Sequence, residues 1–168
     1  DATTELSKAQ TVYRKIGDAI QRIHTSRYMA PEVIVMHPRR WAAFQTVFGS
    51  DDRPMLTAYA GRNQIAELGG VVSQQIVGEM QGLPVVTDPG LPITLGAGTN
   101  QDVLHVLRSS DLLLFESSVR ARALQETRAE GLTILLQIYG FLAFTAARFP
   151  QSVVEIGGTA LTAPTFGA

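Results

Sequence analysis

The chain has 168 residues, of which 45% are hydrophobic and 17% charged, and its formal net charge is −1. That length fits one domain, or one domain and a small lobe, and can bury a real core, while the near-neutral charge argues against a protein built mainly to grip nucleic acid. With no cysteine, a disulfide framework, a thiolate metal site and a cysteine nucleophile are excluded, which fits a reducing compartment. Lys8 and Lys15 are the only lysines, so the positive charge is nearly all arginine. No signal peptide is expected before the first helix. The chain starts at Asp1 without methionine, and the expectation is a processed chain or a fragment of something longer.

Leu6, Ala9, Tyr13, Ile16, Ile20 and Ile23 recur at steps of three and four, which predicts an amphipathic helix over Thr4 to Ser26. Thr3 or Thr4 is placed to cap its start, and Gly17 weakens it by about 1 kcal/mol relative to alanine. Ala30-Pro31 breaks the pattern, and Glu32 to Met36 reads as a short buried strand. His37-Pro38 then opens a second helix, with proline at its first position and Trp41, Phe44 and Val47 or Phe48 on its apolar face. Arg39 and Arg40 stand in its first turn, where the macrodipole disfavours cations unless an anion or acid is near. They either form an anion site with the helix N-terminus or pair with an acid or with solvent; the second is the commoner case.

Gly49 to Pro54 reads as a loop and Leu56 to Leu68 as a short helix ended by Gly69-Gly70. Val71 to Val77, Gly78 to Gly82 and Leu83 to Val86 read as strand, turn and strand. Asp88 to Pro92 is a rigid turn and Gly96 to Gln101 a flexible loop. Val103 to Leu107, Leu112 to Phe115 and Val153 to Ile156 are strands, and the tail from Gly157 to Ala168 is expected to be extended.

The stretch Leu132 to Phe149 holds the longest uncharged run, which lies between Glu130 and Arg148. Its even positions Leu132, Ile134, Leu136, Ile138, Leu142 and Phe144 are all apolar, while the odd positions mix Thr133, Gln137, Tyr139 and Thr145 with Leu135, Phe141 and Ala143. This period of two predicts a strand with one face fully buried and the other partly so. Ser118 to Thr127 alternates as well: Val119, Ala121 and Ala123 point one way, while Arg120, Arg122, Glu126 and Arg128 point the other. With Ala129-Glu130-Gly131 as a short connection, the two stretches predict one long antiparallel hairpin. The uncharged run approaches the length of a membrane helix, but Gln137, Gly140 and the threonines dilute it, and no basic cluster or aromatic belt flanks it. Gly140 and the hairpin partner also weigh against a buried helix.

Residues for chemistry are sparse. His24, His37 and His105 lack metal-ligand spacing. Gly96-Ala97-Gly98 resembles a phosphate loop but has neither the third glycine nor the following helix, and no serine sits in a nucleophile elbow. Asp51 and Asp52 are adjacent in a loop, where carboxylates are usually solvated. Arg120, Arg122 and Arg128 alternate with Glu126 and Glu130, a surface suited to a mixed-charge partner. No cofactor is expected.

Four segments in order resemble the major capsid proteins of tailed bacteriophages, the Hong Kong ninety-seven-like fold that encapsulin shells also use. They are PEVIVMHPRRWAAF (Pro31 to Phe44), QGLPVVTDPGLP (Gln81 to Pro92), SSDLLLFES (Ser109 to Ser117) and LQIYGFLAFTAARFPQSVVEIGG (Leu136 to Gly158). Each is degenerate alone; four in the right order are fairly specific.

The resemblance implies an α+β fold with a long spine helix, a long antiparallel hairpin and a mixed axial domain. It divides the chain into a peripheral spine helix (1–29), an axial domain (30–111), a peripheral hairpin (112–150), and an axial return strand and tail (151–168). The family's N-terminal arm and extended loop are not in this sequence, so the resemblance also implies a fragment of a larger capsid protein. It implies no enzyme activity, but a homo-oligomeric shell of hexamers and pentamers. Such a shell is assembled in the host bacterial cytoplasm, with scaffold or portal proteins as further partners, and encloses DNA in the virion without sequence-specific binding or a membrane. The expected subunit contacts are Arg120, Arg122, Glu126 and Arg128 on the hairpin and Asp51, Asp52 and Arg53 in an axial loop. Lysine–asparagine crosslinking, known in some relatives, finds no support with both lysines in the opening helix. An encapsulin packaging protein cargo is the alternative within the fold, and an enzyme with an unrecognised pocket is the alternative outside it.

Overall fold

The computed structural model describes residues 2–49, 53–56, 76–124, 131 and 134–166. The chain is mixed α+β and divides into two units, Asp1–Ser109 with Pro150–Ala168, and Ser110–Phe149.

The first unit is built on a five-stranded sheet. Its strands are β1 (Val33–Met36), β2 (Ile76–Met80), β3 (Leu83–Thr87), β4 (Leu104–Leu107) and β9 (Val153–Ile156), in the order β2-β3-β1-β4-β9. β1 runs parallel to β3, and the other pairs are antiparallel. Alternate residues turn one face inward: Ile34, Met36, Val85, Leu104, Val106 and Ile156 are buried. Helices α1 (Ala2–Arg27) and α2 (Pro38–Thr46) contribute to the same core, α1 through Ala9, Val12, Ile16, Ala19 and Ile23, and α2 through Phe44. α1 packs within this unit, against β9, β4 and the turn at Thr159–Leu161.

Several expectations are corrected here. The buried stripe of α1 is rotated by one position: Val12 and Ala19 are fully covered, while Tyr13 is 37% exposed. Two overlapping stripes fit the spacing, and tyrosine takes the edge, where its hydroxyl stays wet. Thr3 and Thr4 lie inside the helix, which begins at Ala2, so neither is its cap. Gly78 belongs to β2 and does not open the turn. A Cβ there would stand 2.6 and 2.8 Å from the Trp41 ring, so the glycine admits the indole against the strand. The turn is Gln81-Gly82, with φ of 52° and 79°, the positive pair that a tight two-residue hairpin uses.

The tail is docked rather than merely extended. Thr159–Leu161 forms a 3-10 turn, Leu161 is fully buried, and the Ala163 N–H donates to the Asn100 carbonyl at 2.8 Å. All but Leu56 of the helix expected over Leu56 to Leu68, the Val71 to Gln75 part of the following strand, and most of the Ala129-Glu130-Gly131 connection lie outside the described residues.

The second unit is a two-stranded ribbon in two stretches. β5 (Leu113–Glu116) pairs with β8 (Leu142–Thr145), and β6 (Arg120–Leu124) pairs with β7 (Leu135–Tyr139), both antiparallel. Between them three residues, Ser117 to Val119, oppose Gly140 and Phe141. The hairpin therefore extends beyond Val119 to Leu113, with an irregularity where one strand carries an extra residue. Ser117 holds that point: its backbone N–H donates to the Phe141 carbonyl at 2.9 Å, and its Oγ accepts from the Phe141 N–H at 2.8 Å.

Candidate assembly surface

The period-two pattern of the ribbon puts its side chains where the alternation requires. Ala121 lies opposite Ile138 and Ala123 opposite Leu136 on one face; Arg120 opposes Tyr139 and Arg122 opposes Gln137 on the other. What the structure overturns is the burial expected of the apolar face. Ile134, Leu136, Ile138, Leu142 and Phe144, the even positions read as a buried core strand, are 63–70% exposed, and Phe141 is 70% exposed. Leu114, Phe115 and Val119 across the ribbon are 58–71% exposed. The physical reason is simple: alternation decides which face a side chain joins, not whether anything covers that face, and a two-stranded ribbon has no second layer of its own.

Such a ribbon is marginal in water, and exposed apolar side chains in this number mark an interaction site. Covering each of these large side chains would be worth roughly 1.5–3 kcal/mol. The edges are open as well: among the described residues each ribbon strand has a single partner, which leaves a row of backbone donors and acceptors on its outer side.

Of the contact residues named from the sequence, Arg120 and Arg122 are exposed on the ribbon's polar face, and Arg53 is exposed in the first unit. Glu126, Arg128, Asp51 and Asp52 lie outside the described residues. Among the described residues the structure therefore places Arg120 and Arg122 in one row.

The arginines at the start of α2 pair with an acid, the commoner of the two readings. His37 caps the helix, its Nδ1 accepting from the Arg39 N–H at 3.2 Å, and Pro38 occupies the first turn. Arg39 Nε donates to Asp102 Oδ1 at 2.7 Å, its Nη2 donates to the same oxygen, and Nη2 also reaches the Ile93 carbonyl at 3.0 Å. Arg40 Nε donates to Asp102 Oδ2 at 2.9 Å, and its Nη2 donates to the Leu161 and Thr162 carbonyls at 2.8 and 2.6 Å. Asp102 is fully buried and Arg40 is 4% exposed. Burial pulls the Arg40 guanidinium below its ordinary value, and the Asp102 charge opposes that shift. The cluster ties α2 to the segment before β4 and to the tail, so its donors are spent on the fold. Asp102 was missed because it lies 62 residues from Arg40; its only local signal is an acid set directly before the apolar run of β4.

Further chemistry is sparse. Among the described residues no group of three or more His, Asp or Glu side chains could hold a metal, and no helix is long and apolar enough to cross a membrane. A hollow lined by Glu5 and Ala9 of α1, Arg40, Ala43 and Phe44 of α2, and Val47 holds about 10 Å³, room for about one water. The arrangement with the most surface to offer a partner is thus the ribbon, an apolar face backed by an arginine row. Comparison with known proteins returns no matching family model and no matching curated protein.

Proposed function

We propose that this chain is a structural shell subunit, the major capsid subunit of a tailed-phage head, which works by symmetric association of many copies and not by catalysis. One observation carries the reading: Ile134, Leu136, Ile138, Leu142 and Phe144 of the ribbon are 63–70% exposed, an apolar surface of the kind that meets another molecule. Self-association is the reading favoured by the low charge and the four capsid-like segments. Each contact is modest, and closure of the shell makes them collectively stable. In this reading the arginine row meets neighbours at the rim of the peripheral contact, where charges set partner and register. Proteins of one fold serve different ends, and an encapsulin shell around protein cargo is the second reading supported by the same segments.

The test is the size and content of the assembled particle. The complete gene product, purified and measured by multi-angle light scattering, is expected to elute as a uniform particle of many copies. Nuclease-sensitive DNA inside it supports a phage head, and co-purifying protein cargo supports the compartment. A product that stays monomeric across salt and concentration would overturn both.

A further inference from the structure

We propose that the apolar face of β6–β7 packs on the same face of a second copy, about a two-fold axis running along the ribbon. The inference rests on the self-association reading and names the surface and symmetry of one contact within it.

The face is divided lengthwise. β6 contributes only the small side chains Ala121 and Ala123, and β7 contributes only the large ones Ile138 and Leu136, directly opposite them. One edge of the face is therefore a groove and the other a ridge. Leu136 and Ile138 are 63% and 65% exposed, and Ile134, in phase with them beyond the end of β7, is 65% exposed. No charged residue interrupts the face from Ala121 to Ala123 or from Ile134 to Ile138, because Arg120 and Arg122 point the other way.

Two ribbons can meet face to face about a two-fold axis lying across the strands or along them. Across the strands, β6 covers β6 and β7 covers β7: alanine meets alanine over a void, and ridge collides with ridge. Along the strands, β6 of one copy covers β7 of the other at the same height. Ala121 then receives Ile138 of the second copy, Ala123 receives its Leu136, and both contacts occur twice. Ridge enters groove at the usual spacing of stacked sheets, about 10 Å. The three large side chains expose on the order of 100 Å² each, so with the alanines each copy offers roughly 450 Å² and the pair buries about 900 Å², close to the least that a specific interface needs. Such a contact is isologous, the same patch serving both copies.

Sedimentation equilibrium on the chain and three variants tests this. Ala121→Ile with Ala123→Leu fills the groove; Leu136→Ala with Ile138→Ala removes the ridge; all four changes together exchange the two. The expected result is that the wild-type chain pairs and that the filled and emptied variants each pair at least ~10-fold more weakly. An equimolar mixture of those two should regain pairing, because ridges of one meet grooves of the other, and the exchanged variant should pair like wild type. The lone tryptophan, Trp41, lies in the first unit, so its fluorescence checks that each variant retains that fold. A monomeric wild-type chain, a filled variant that pairs as tightly as wild type, or an exchanged variant as weak as the filled one would overturn the contact. Shells formed normally by the filled variant of the complete gene product would overturn this contact and leave the shell reading standing. Pairing of the chain with no shell from the complete product would do the reverse.

Discussion

Asp102→Ala should destabilise the first unit by about 3–5 kcal/mol, the cost of leaving a buried ion without its partner. The carboxylate is fully buried and accepts from both arginines. Without it, Arg40 keeps the Leu161 and Thr162 carbonyls, but no anion balances a guanidinium that is 4% exposed. Arg39 is about a quarter exposed, so it can rehydrate and adds little. Most of the loss is therefore assigned to Arg40, and a double-mutant cycle isolates it. Once Arg40 is replaced by methionine, Asp102→Ala should cost only about 1–2 kcal/mol, a coupling of about 1–4 kcal/mol. The assay is urea denaturation followed by Trp41 fluorescence, with the tryptophan one residue from Arg40. Against a typical total of about 5–15 kcal/mol, the single change should move the midpoint visibly. A loss below ~1 kcal/mol for Asp102→Ala, or an equal loss with and without Arg40, would refute the reasoning.

Gly78→Ala forces a methyl to within 3 Å of the Trp41 ring and should cost about 1–3 kcal/mol as overpacking, with a shift in tryptophan emission; unchanged emission and stability would contradict the close packing. Gly82→Ala has free space around its Cβ but a φ of 79°, so it should cost about 1–2 kcal/mol from the backbone alone and leave the emission alone. Leu161→Ala removes a fully buried side chain of the docked tail and should cost about 2–5 kcal/mol by thermal or chemical melting; a freely extended tail would lose almost nothing. Arg122→Glu reverses an exposed charge on the ribbon's polar face. It should lower the yield of assembled particles with stability unchanged within about 0.5 kcal/mol, and a normal yield would remove that residue from the interface.

The elements that were legible in the sequence are those with local signals. Proline at the first position fixed the start of α2, and β9 is bounded as its alternation suggests. The facing of Ala121 and Ala123 toward the even positions of β7 also follows from a period of two. What stayed hidden depends on distant partners. Gly78 looks like a turn residue until the Trp41 ring, 37 positions earlier, is seen to need its space. Arg39 and Arg40 look like a candidate anion site until Asp102 occupies them. The run from Ile134 to Phe144 looks like core because hydropathy registers the need for cover and not its source. That last mismatch is the most informative, since an exposed apolar strand directs attention to what it meets.

The central claim is that this cover comes from further copies and closes into a shell. The most direct measurement is negative-stain electron microscopy of the complete gene product. Closed particles of uniform diameter are the expected result. Small discrete particles only, across a range of salt and protein concentration, would contradict it.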